Sequence, residues 1–582
     1  MVGLLLSLCH VGSTMPAEPL VQIVEQSPAS VKQVSPGVYL VDFGRVAFGN
    51  LKLTTLKGKT GKITVHFGEA FENGRINRKP PGTVRYEVAE AKLGDLIIAP
   101  KPNARNTETD SKSHPPAILT PKEWGVLTPF RWVEIEGWPG ELKPSQIKRR
   151  AAFDAKWDDN AASFRCDNET LNRIWDLCQY SIKATTFAGI FVDGDRERIP
   201  YEADAYLNQL SYYTTSSQNA IPRATFDHLM KYGTWPTEWA PHMVFMAYAD
   251  WMRTGDKEWL GARFDALKSK MLLDRVGPDG LIQSSKAQMS RDDIVDWPTG
   301  ERDGYVFDSQ NTVVNAFYLR ALHLMSEMAK GIGRRREAAE LAAQETEAKA
   351  AFQKAFFNPK SGIFKDGASV DHSSLHANLF PLAFGLARES DPERIANWLS
   401  QRGMKCSVYA AQYLLEGLFE NGKEAEAVDL IIAPGDRSWR HMVNSGTTIT
   451  WEAWDQKYKP NQDWNHAWGA APANLLPRYV LGVQPKSPGW KTAVIKPMPG
   501  SLKFANGKVP TPLGPVSVDW KITDTFTLNL KLPKGMSAHV EFPALPGKTK
   551  VLVNGKAVEA VRQGNRWILE NIISGSANIT LK

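Results

Sequence analysis

The chain has few cysteines for its length. Its 582 residues contain four of them, Cys9, Cys166, Cys178 and Cys406. No two have the CxxC spacing of a zinc or redox motif, and their number and spacing do not make a disulfide framework. They are therefore predicted to be small packing residues.

The sequence also lacks long apolar runs, basic runs and metal motifs. A membrane-spanning helix is excluded because no stretch of about 18 uncharged apolar residues occurs. The net charge of +7 is spread along the chain, which argues against nucleic acid as a partner and leaves a mildly acidic ligand open. No HEXXH, EF-hand or Cys/His pattern occurs, so no metal or cofactor is expected. Oligomeric state is not predicted.

Residues 1–20 are the candidate for a targeting segment. They contain a short apolar run from Leu4 to Leu8, followed by small residues, but no basic region precedes it. This pattern is typical of a shortened signal peptide and predicts export to the periplasm or beyond. A cytoplasmic location follows if the segment is not a signal peptide.

Hydrophobic periodicity divides the remaining chain into three regions. Between residues 21 and 155, segments such as VYLVDF and KITVHFGEA alternate with period two, which indicates a β-rich domain. From 156 to 482 the period is helical, and roughly ten to twelve helices fit the pattern. The first of them is predicted to bury one apolar face, formed by Leu171, Ile174, Trp175, Cys178 and Ile182. Alternation returns in residues 483–582 and predicts a β-sandwich. Because there is no fixed repeat of about 34 or 40 residues, the helices are expected to close into a barrel rather than stack as a solenoid.

The segment FVDGDRERIPYEADAY, residues 191–206, concentrates charge between apolar neighbours. It holds two arginines and five carboxylates, which are Asp193, Asp195, Glu197, Glu202 and Asp204. Pro200 predicts a loop that leads into a helix beginning near Glu202. Crowded carboxylates raise one another's pKa unless an arginine neutralises them, and glycoside hydrolysis needs one protonated and one ionised carboxyl group. The same charges are typical of a salt-bridged surface turn, so both interpretations stay open here.

A second unusual segment, residues 447–471, places an acid and a histidine among tryptophans. Glu452 lies two residues before Trp454, and His466 follows in the sequence WNHAWG. Aromatic faces stack on the C–H faces of sugars while polar groups bind the hydroxyls, so the segment indicates a sugar site. Trp239 and Trp297, in two further aromatic stretches, are candidates for its walls. Taken one at a time, these residues are explained equally well by capping, ion pairing or core packing.

These motifs resemble those of the α-L-rhamnosidases of glycoside hydrolase family 78. The stretch DRERIPYEAD, residues 195–204, is similar to the family's R-D-E-R-L-G-W-T-G-D, and TTITWEAW is similar to its T-T-x-W-E-x-W. The resemblance implies that Glu197 is the general acid and Glu452 the general base. The chain departs from the family pattern at three positions, where Asp195, Arg196 and Pro200 replace an arginine, an acid and a glycine.

The predicted substrate-binding residues lie in these motifs and in the aromatic stretches beside them. Tyr201 occupies the position of a sugar-facing tryptophan in the family, Asp204 that of a sugar-binding aspartate, and DWNHAWGA places His466 in the sugar site. The full predicted set is Asp193, Arg198, Tyr201, Asp204, Trp239, Trp297, Trp454 and His466.

The resemblance also implies a fold and an activity. The fold is a central (α/α)6 toroid (156–482) between an N-terminal β-sandwich (21–155) and a C-terminal β-sandwich (483–582), in a compact form without the extra modules of longer members. The activity is hydrolysis of terminal α-L-rhamnose from glycosides, oligosaccharides or polysaccharides, with inversion at the anomeric carbon. Two alternatives stay open: another six-hairpin enzyme such as an unsaturated-uronide hydrolase, and a sugar-binding relative without catalysis.

Overall fold

The structure is a computed structural model that describes residues 18–54, 60–103, 105–107 and 115–582. The apolar run expected to form a signal peptide, together with Cys9, lies outside these ranges. The other three cysteines are buried and unpaired with one another. Within the described ranges, no helix is both long enough and apolar enough to cross a bilayer.

An eight-stranded antiparallel sheet and a small hairpin form the N-terminal domain. Ten strands lie in it: β1 (Val21–Gln26), β2 (Ser30–Ser35), β3 (Val38–Leu53), β4 (Lys62–Gly68), β5 (Phe71–Glu72), β6 (Arg75–Ile76), β7 (Tyr86–Lys92), β8 (Ile97–Ile98), β9 (Thr128–Glu136) and β10 (Ile147–Asp154). The sheet order is β1-β10-β3-β9-β4-β7, with β2 and β8 also paired to β3, while β5 and β6 form the hairpin. The period-two pattern explains the burial, because Ile63, Val65 and Phe67 on β4 all face the core.

Fourteen α-helices follow in the region from residue 160 to 480, all of which is described. They are α1 (Glu169–Ala184), α2 (Glu202–Thr215), α3 (Ala220–Lys231), α4 (His242–Thr254), α5 (Lys257–Leu267), α6 (Lys286–Arg291), α7 (Thr312–Gly331), α8 (Arg335–Phe356), α9 (His376–Ala383), α10 (Pro392–Arg402), α11 (Val408–Glu420), α12 (Glu424–Ile431), α13 (Trp439–Asn444) and α14 (Pro472–Leu475). Three short strands lie in the same region: β11 (Ser163–Cys166), β12 (Phe357–Asn358) and β13 (Ile363–Phe364).

Six of these helices form a closed inner ring. Helices α2, α4, α7, α9, α11 and α14 each contact the next, and α14 contacts α2. Helices α1, α3, α5, α8, α10 and α12 pack outside them. Burial follows this layering, because fifteen of the 20 residues of α7 are buried but only four of the 22 residues of α8. The expected helical toroid is confirmed.

The first two helices of this region were predicted correctly from the sequence. The predicted apolar face of α1 is fully buried, and α2 begins at Glu202, directly after the loop that Pro200 indicated. The helix count exceeds the expected ten to twelve because α6, α13 and α14 have only 6, 6 and 4 residues. Helices that short complete too few turns to show a helical period.

Two packed sheets form the C-terminal domain. Its strands are β14 (Val483–Pro485), β15 (Thr492–Ile495), β16 (Phe504–Val509), β17 (Val516–Ile522), β18 (Phe526–Lys531), β19 (Ser537–Pro543), β20 (Val551–Val553), β21 (Lys556–Ala557), β22 (Ala560–Gln563), β23 (Arg566–Leu569), β24 (Ile573–Ser574) and β25 (Ser576–Leu581). One sheet has the order β11-β16-β17-β18-β25-β20-β21, and the other β14-β15-β19-β23-β22 with β24 on β19. The parallel rings of Phe526 and Phe542, 5.5 Å apart, join the two sheets. Strand β11, which precedes the first helix in the sequence, is an edge strand of this domain.

Candidate active site

A cavity of about 250 Å³ opens where the loops before the inner helices meet. The loop between α1 and α2 carries Asp193, Glu197 and Tyr201, and the first turn of α2 carries Asp204. The long loop between α13 and α14 supplies a second wall, with Glu452, Lys459, Asn461, His466 and Trp468. Trp239 precedes α4 and Trp297 precedes α7, so the N-terminal ends of four inner helices surround the cavity.

Eight of the ten predicted site residues line this cavity: Asp193, Glu197, Tyr201, Asp204, Trp239, Trp297, Glu452 and His466. Seven further residues complete the lining: Arg105, Arg196, Trp235, Ile294, Lys459, Asn461 and Trp468. Three of these seven are cationic, which the sequence analysis did not predict for a sugar site.

Glu452 is held by four donors. The Nη1 and Nη2 atoms of Arg196 lie 3.0 Å and 3.1 Å from its two carboxylate oxygens, and Lys459 Nζ lies 3.2 Å from Oε1. The backbone N–H of Asp463 donates to Oε2 at 3.1 Å. Burial alone raises the pKa of Glu452, but the charges of Arg196 and His466 and the Arg196 hydrogen bonds outweigh it and lower the pKa to about 2. This carboxylate is therefore ionised at any ordinary pH.

Glu197 lies on the other side of the same guanidinium. Its Oε1 is 3.6 Å from Arg196 Nε and 3.0 Å from an Nη atom of Arg105, while the hydroxyl of Tyr201 donates to Oε2 at 2.8 Å. Arg196 thus contacts both Glu197 and Glu452, although the two acids come from loops at opposite ends of the helical region. The two carboxyl groups converge on one cavity.

Two further carboxyl groups, Asp193 and Asp204, face the cavity from deeper positions. Asp193 accepts the N–H of Ile199 at 3.1 Å through Oδ1, and within the described chain its buried Oδ2 has no hydrogen-bond partner. Burial and the nearby charge of Glu197 raise the pKa of Asp193 well above its usual range. Asp204 lies 2.7 Å from His466 Nε2, and burial raises its pKa also. These groups offer hydrogen-bonding atoms to a polar ligand.

Arg198 and Trp454, both predicted to bind substrate, do not reach the cavity. Arg198 has a positive φ of 55°, and its guanidinium turns back to Asp195 at 2.7 Å and to the backbone carbonyl of Leu127. Trp454 is fully buried and donates its Nε1–H to the carbonyl of Cys406 at 2.7 Å. Both side chains therefore lie in the protein interior and not in the cavity.

The N-terminal domain contacts the two loops that carry Glu197 and Glu452. Arg85 Nε lies 3.1 Å from Asp195 Oδ2, and the hydroxyl of Thr83 donates to Asp463. Asn465 donates to the buried carboxyl group of Glu69 at 3.1 Å. Asp195, which stands where the family pattern has an arginine, is therefore neutralised by Arg85 and Arg198 and does not face the cavity.

One group of side chains in the described chain has the spacing of a metal site. Donor atoms of Glu452, Asp463 and His466 lie within 4.8 Å of one another. However, Arg196 and Lys459 already bind Glu452 and place two positive charges beside it. A cation fits this set poorly because the local charge opposes it.

A closed ring of helical hairpins with two converging carboxylates between aromatic walls defines the class of six-hairpin glycosidases. Family models agree with this architecture. The bacterial alpha-L-rhamnosidase 6 hairpin glycosidase domain matches residues 159–480, the concanavalin-like domain of the same family matches 32–153, and its C-terminal domain matches 482–557. The chain belongs to the bacterial alpha-L-rhamnosidase family.

Individual relatives are distant. The chain is 24% identical to an alpha-L-rhamnosidase of Alteromonas sp. (strain LOR) over 90% of its own length and 58% of the relative's. The solved alpha-L-rhamnosidase from Dictyoglumus thermophilum has a TM-score of 0.80 at 20% identity, covering 97% of this chain and 64% of that one. A Streptomyces avermitilis alpha-L-rhamnosidase complexed with L-rhamnose has a TM-score of 0.77 at 18% identity, covering 97% and 54%. The chain thus spans between 50% and 60% of the length of the curated relatives it matches.

Proposed function

We propose that this chain hydrolyses terminal α-L-rhamnosides, with Glu197 as the general acid and Glu452 as the general base. The observation that carries the proposal is the convergence of these two carboxyl groups on one cavity, on either side of Arg196. Membership of the bacterial alpha-L-rhamnosidase family and the names of the matched relatives support it.

The reaction is a single displacement at the anomeric carbon. Glu197 gives its proton to the glycosidic oxygen, the bond from that oxygen to the anomeric carbon breaks, and a water oxygen bonds to the carbon from the opposite face. Glu452 takes the proton that this water loses. Such a displacement inverts the anomeric configuration and needs the two carboxyl groups about 6.5 to 9.5 Å apart, with room for the water.

Glu452 must free a lone pair before it accepts that proton. Its two oxygens are occupied by Arg196, Lys459 and the Asp463 N–H. The Arg196 contacts lie on the side of Glu452 that is nearer to Glu197, because Arg196 also reaches Glu197. Bound substrate and water would therefore take the place of part of the Arg196 contact.

The remaining lining residues suit a deoxy sugar. Asp193 Oδ2 and the Asp204–His466 pair would bind ring hydroxyls, which otherwise cost about 1 to 3 kcal/mol each when buried without a partner. Tyr201, Trp239 and Trp297 would enclose the ring. Burial of the sugar's methyl group against them favours rhamnose over mannose by about 1 kcal/mol.

A screen of aryl glycosides tests the substrate class. Rhamnoside, mannoside and an unsaturated uronide are assayed side by side, because three cations in the cavity also suit an acidic sugar. We expect turnover of the rhamnoside well above that of the other two. Release from the unsaturated uronide alone would assign the chain to the uronide hydrolases, and no turnover of any would assign it to sugar binding without catalysis.

Glu197→Gln and Glu452→Gln test the two roles. Each should lower kcat on an aryl rhamnoside by at least a factor of about 100, because proton transfer by a positioned side chain contributes about 10²- to 10⁴-fold. Glu123→Gln, at an exposed position, is the control, and thermal melting checks that all three variants fold. Near-normal activity of Glu452→Gln would reject the base assignment.

The configuration of the released sugar tests inversion separately. Proton NMR of an early time course should show β-L-rhamnose first, followed by slow mutarotation. If the α-anomer appears first, the displacement is double and Glu452 acts as a nucleophile, while the rhamnosidase activity itself stands.

A further inference from the structure

Arg105 is a cation of the N-terminal domain placed at the mouth of the cavity. It opens a short 3-10 turn, Arg105–Thr107, and its side chain is 47% exposed. The next residue, Asn106, is buried and donates from Nδ2 to the backbone carbonyl of Asp195 at 2.9 Å. This anchor fixes the turn against the loop that carries Glu197.

The position of Arg105 relative to Glu197 decides which part of a substrate it meets. Its Nη2 lies 3.0 Å from Glu197 Oε1, whereas the two cations at Glu452, Arg196 and Lys459, are far more buried, with side chains 16% and 6% exposed. A general acid lies beside the glycosidic oxygen, so a group on its open side faces the leaving group rather than the rhamnose ring. Arg105 is therefore on the leaving-group side.

Rhamnose does not explain a cation in this place. The sugar is uncharged, and Glu197 must carry a proton to act as the acid. Once it does, Arg105 has no negatively charged partner within the described ranges of the chain. Among the described residues, this half-exposed guanidinium beside the departing oxygen then has no counter-charge during the reaction.

We infer that Arg105 binds the carboxylate of an acidic sugar released as the leaving group, so that the preferred substrates are rhamnosides of uronic acids. This inference rests on the proposed function. A guanidinium recognises a carboxylate through paired, charge-assisted hydrogen bonds.

The test compares two substrates that differ in one carboxyl group, which is either charged or esterified. They are an α-L-rhamnosyl D-glucuronate disaccharide and its uncharged methyl ester, each assayed for kcat/KM with the full chain. The unmodified protein should prefer the acid by about tenfold or more, since a hydrogen bond to a charged group contributes about 1.5 to 3 kcal/mol. The preference should shrink as salt is added, because Arg105 is partly exposed and screened.

Three variants assign the preference to this residue. Arg105→Gln should bring the ratio of acid to ester close to one, and Arg105→Lys should retain part of it. Arg336→Gln removes a 93% exposed arginine from the outer helix α8 and should leave the ratio unchanged. Thermal melting confirms that each variant is folded.

The possible results separate this inference from the proposed function. A ratio near one in the unmodified protein, with good turnover of an aryl rhamnoside, overturns the inference and leaves the rhamnosidase assignment in place. If Arg105→Gln still prefers the acid over the ester, the inference is also overturned. Failure to cleave any rhamnoside rejects the proposed function, and the inference with it.

Discussion

Arg196 lies between the two glutamates of the cavity, Glu197 and Glu452, and contacts both. It binds Glu452 through two nitrogen atoms. Its Nε lies 3.6 Å from Glu197 Oε1, and its Nη2 lies 3.9 Å from Asp193 Oδ2. The family pattern has an acid at this position, so the positive charge is a property of this chain. This charge keeps Glu452 ionised at ordinary pH by lowering the pKa of that carboxyl group.

Arg196→Met should move the acidic limb of the pH–rate profile to higher pH. A general base works only when ionised, so activity falls as the pH drops through its pKa. Arg196 lowers the pKa of Glu452 to about 2, and without its charge burial raises that pKa. The variant should therefore lose kcat/KM at an acidic pH at which the unmodified protein keeps it. Arg131→Met, which removes an arginine paired with Asp42 outside the cavity, should not shift the limb.

Single residues of the site were predictable where a motif carried them. Motifs whose residue spacing indicates a sugar site contain Glu197, Glu452, Asp204 and His466. Lys459 and Arg105 were missed because one basic residue in a loop has no local signal.

One buried carboxylate, that of Asp296, fixes the segment around Trp297 in place. Asp296 accepts hydrogen bonds from the N–H of Trp297 at 2.8 Å, from His376 Nε2 at 2.6 Å and from the N–H of Ser407 at 2.9 Å. Ser407 caps α11. One fully buried carboxylate thus joins a wall of the cavity to the ends of two inner helices.

Asp296→Asn should lower the free energy of unfolding by about 2 to 4 kcal/mol, because an amide NH2 then faces donors in a buried network. It should also raise KM by loosening Trp297. Urea unfolding and initial-rate kinetics measure the two effects. Asp371→Asn, at an exposed position nearby, is the control. An unchanged unfolding free energy would show that the network contributes little.

Elements with enough residues to show a period were predictable, and short or distant pairings were not. The apolar face of α1 and the start of α2 followed from sequence alone. Strand β11 has only four residues, and its partner β16 lies far along the chain. Neither the length of β11 nor the residues beside it in the sequence predict that pairing.

At the scale of the whole molecule, the N-terminal domain and the helical ring meet at a glycine. Gly82 has a positive φ of 62°, and a Cβ there would lie 2.8 Å from the carbonyl oxygen of Pro460 and 3.2 Å from that of Gln462. Both carbonyls belong to the loop that carries Glu452. The domain contact therefore constrains the loop that carries Glu452, the proposed general base.

Gly82→Ala should reduce kcat/KM by about tenfold, because displacing a reacting group by 1 Å can cost about 100-fold. Gly74→Ala is a matched control: it also has a positive φ, of 79°, but a Cβ there meets nothing within 4 Å. Both substitutions carry the same backbone penalty, so rates and melting temperatures of the pair isolate the contact. Equal activity of the two variants would show that the loop adapts without cost.

Contacts between the domains could not be predicted from the sequence. The pairing of Arg85 with Asp195, and of Thr83 with Asp463, joins residues that no motif links. The three-domain order was predictable because each region has its own hydrophobic period. The contacts through which the domains build one site were not predictable from the sequence.

Strand β11 has a consequence for synthesis on the ribosome. It emerges before the helical ring, yet its partner β16 follows roughly 340 residues later, which at about 5 to 20 residues per second is a wait of roughly 20 to 70 s. Throughout that interval the nascent chain carries an unpaired edge next to the first helix. The C-terminal sheets thus incorporate a strand that was synthesised before the helical ring.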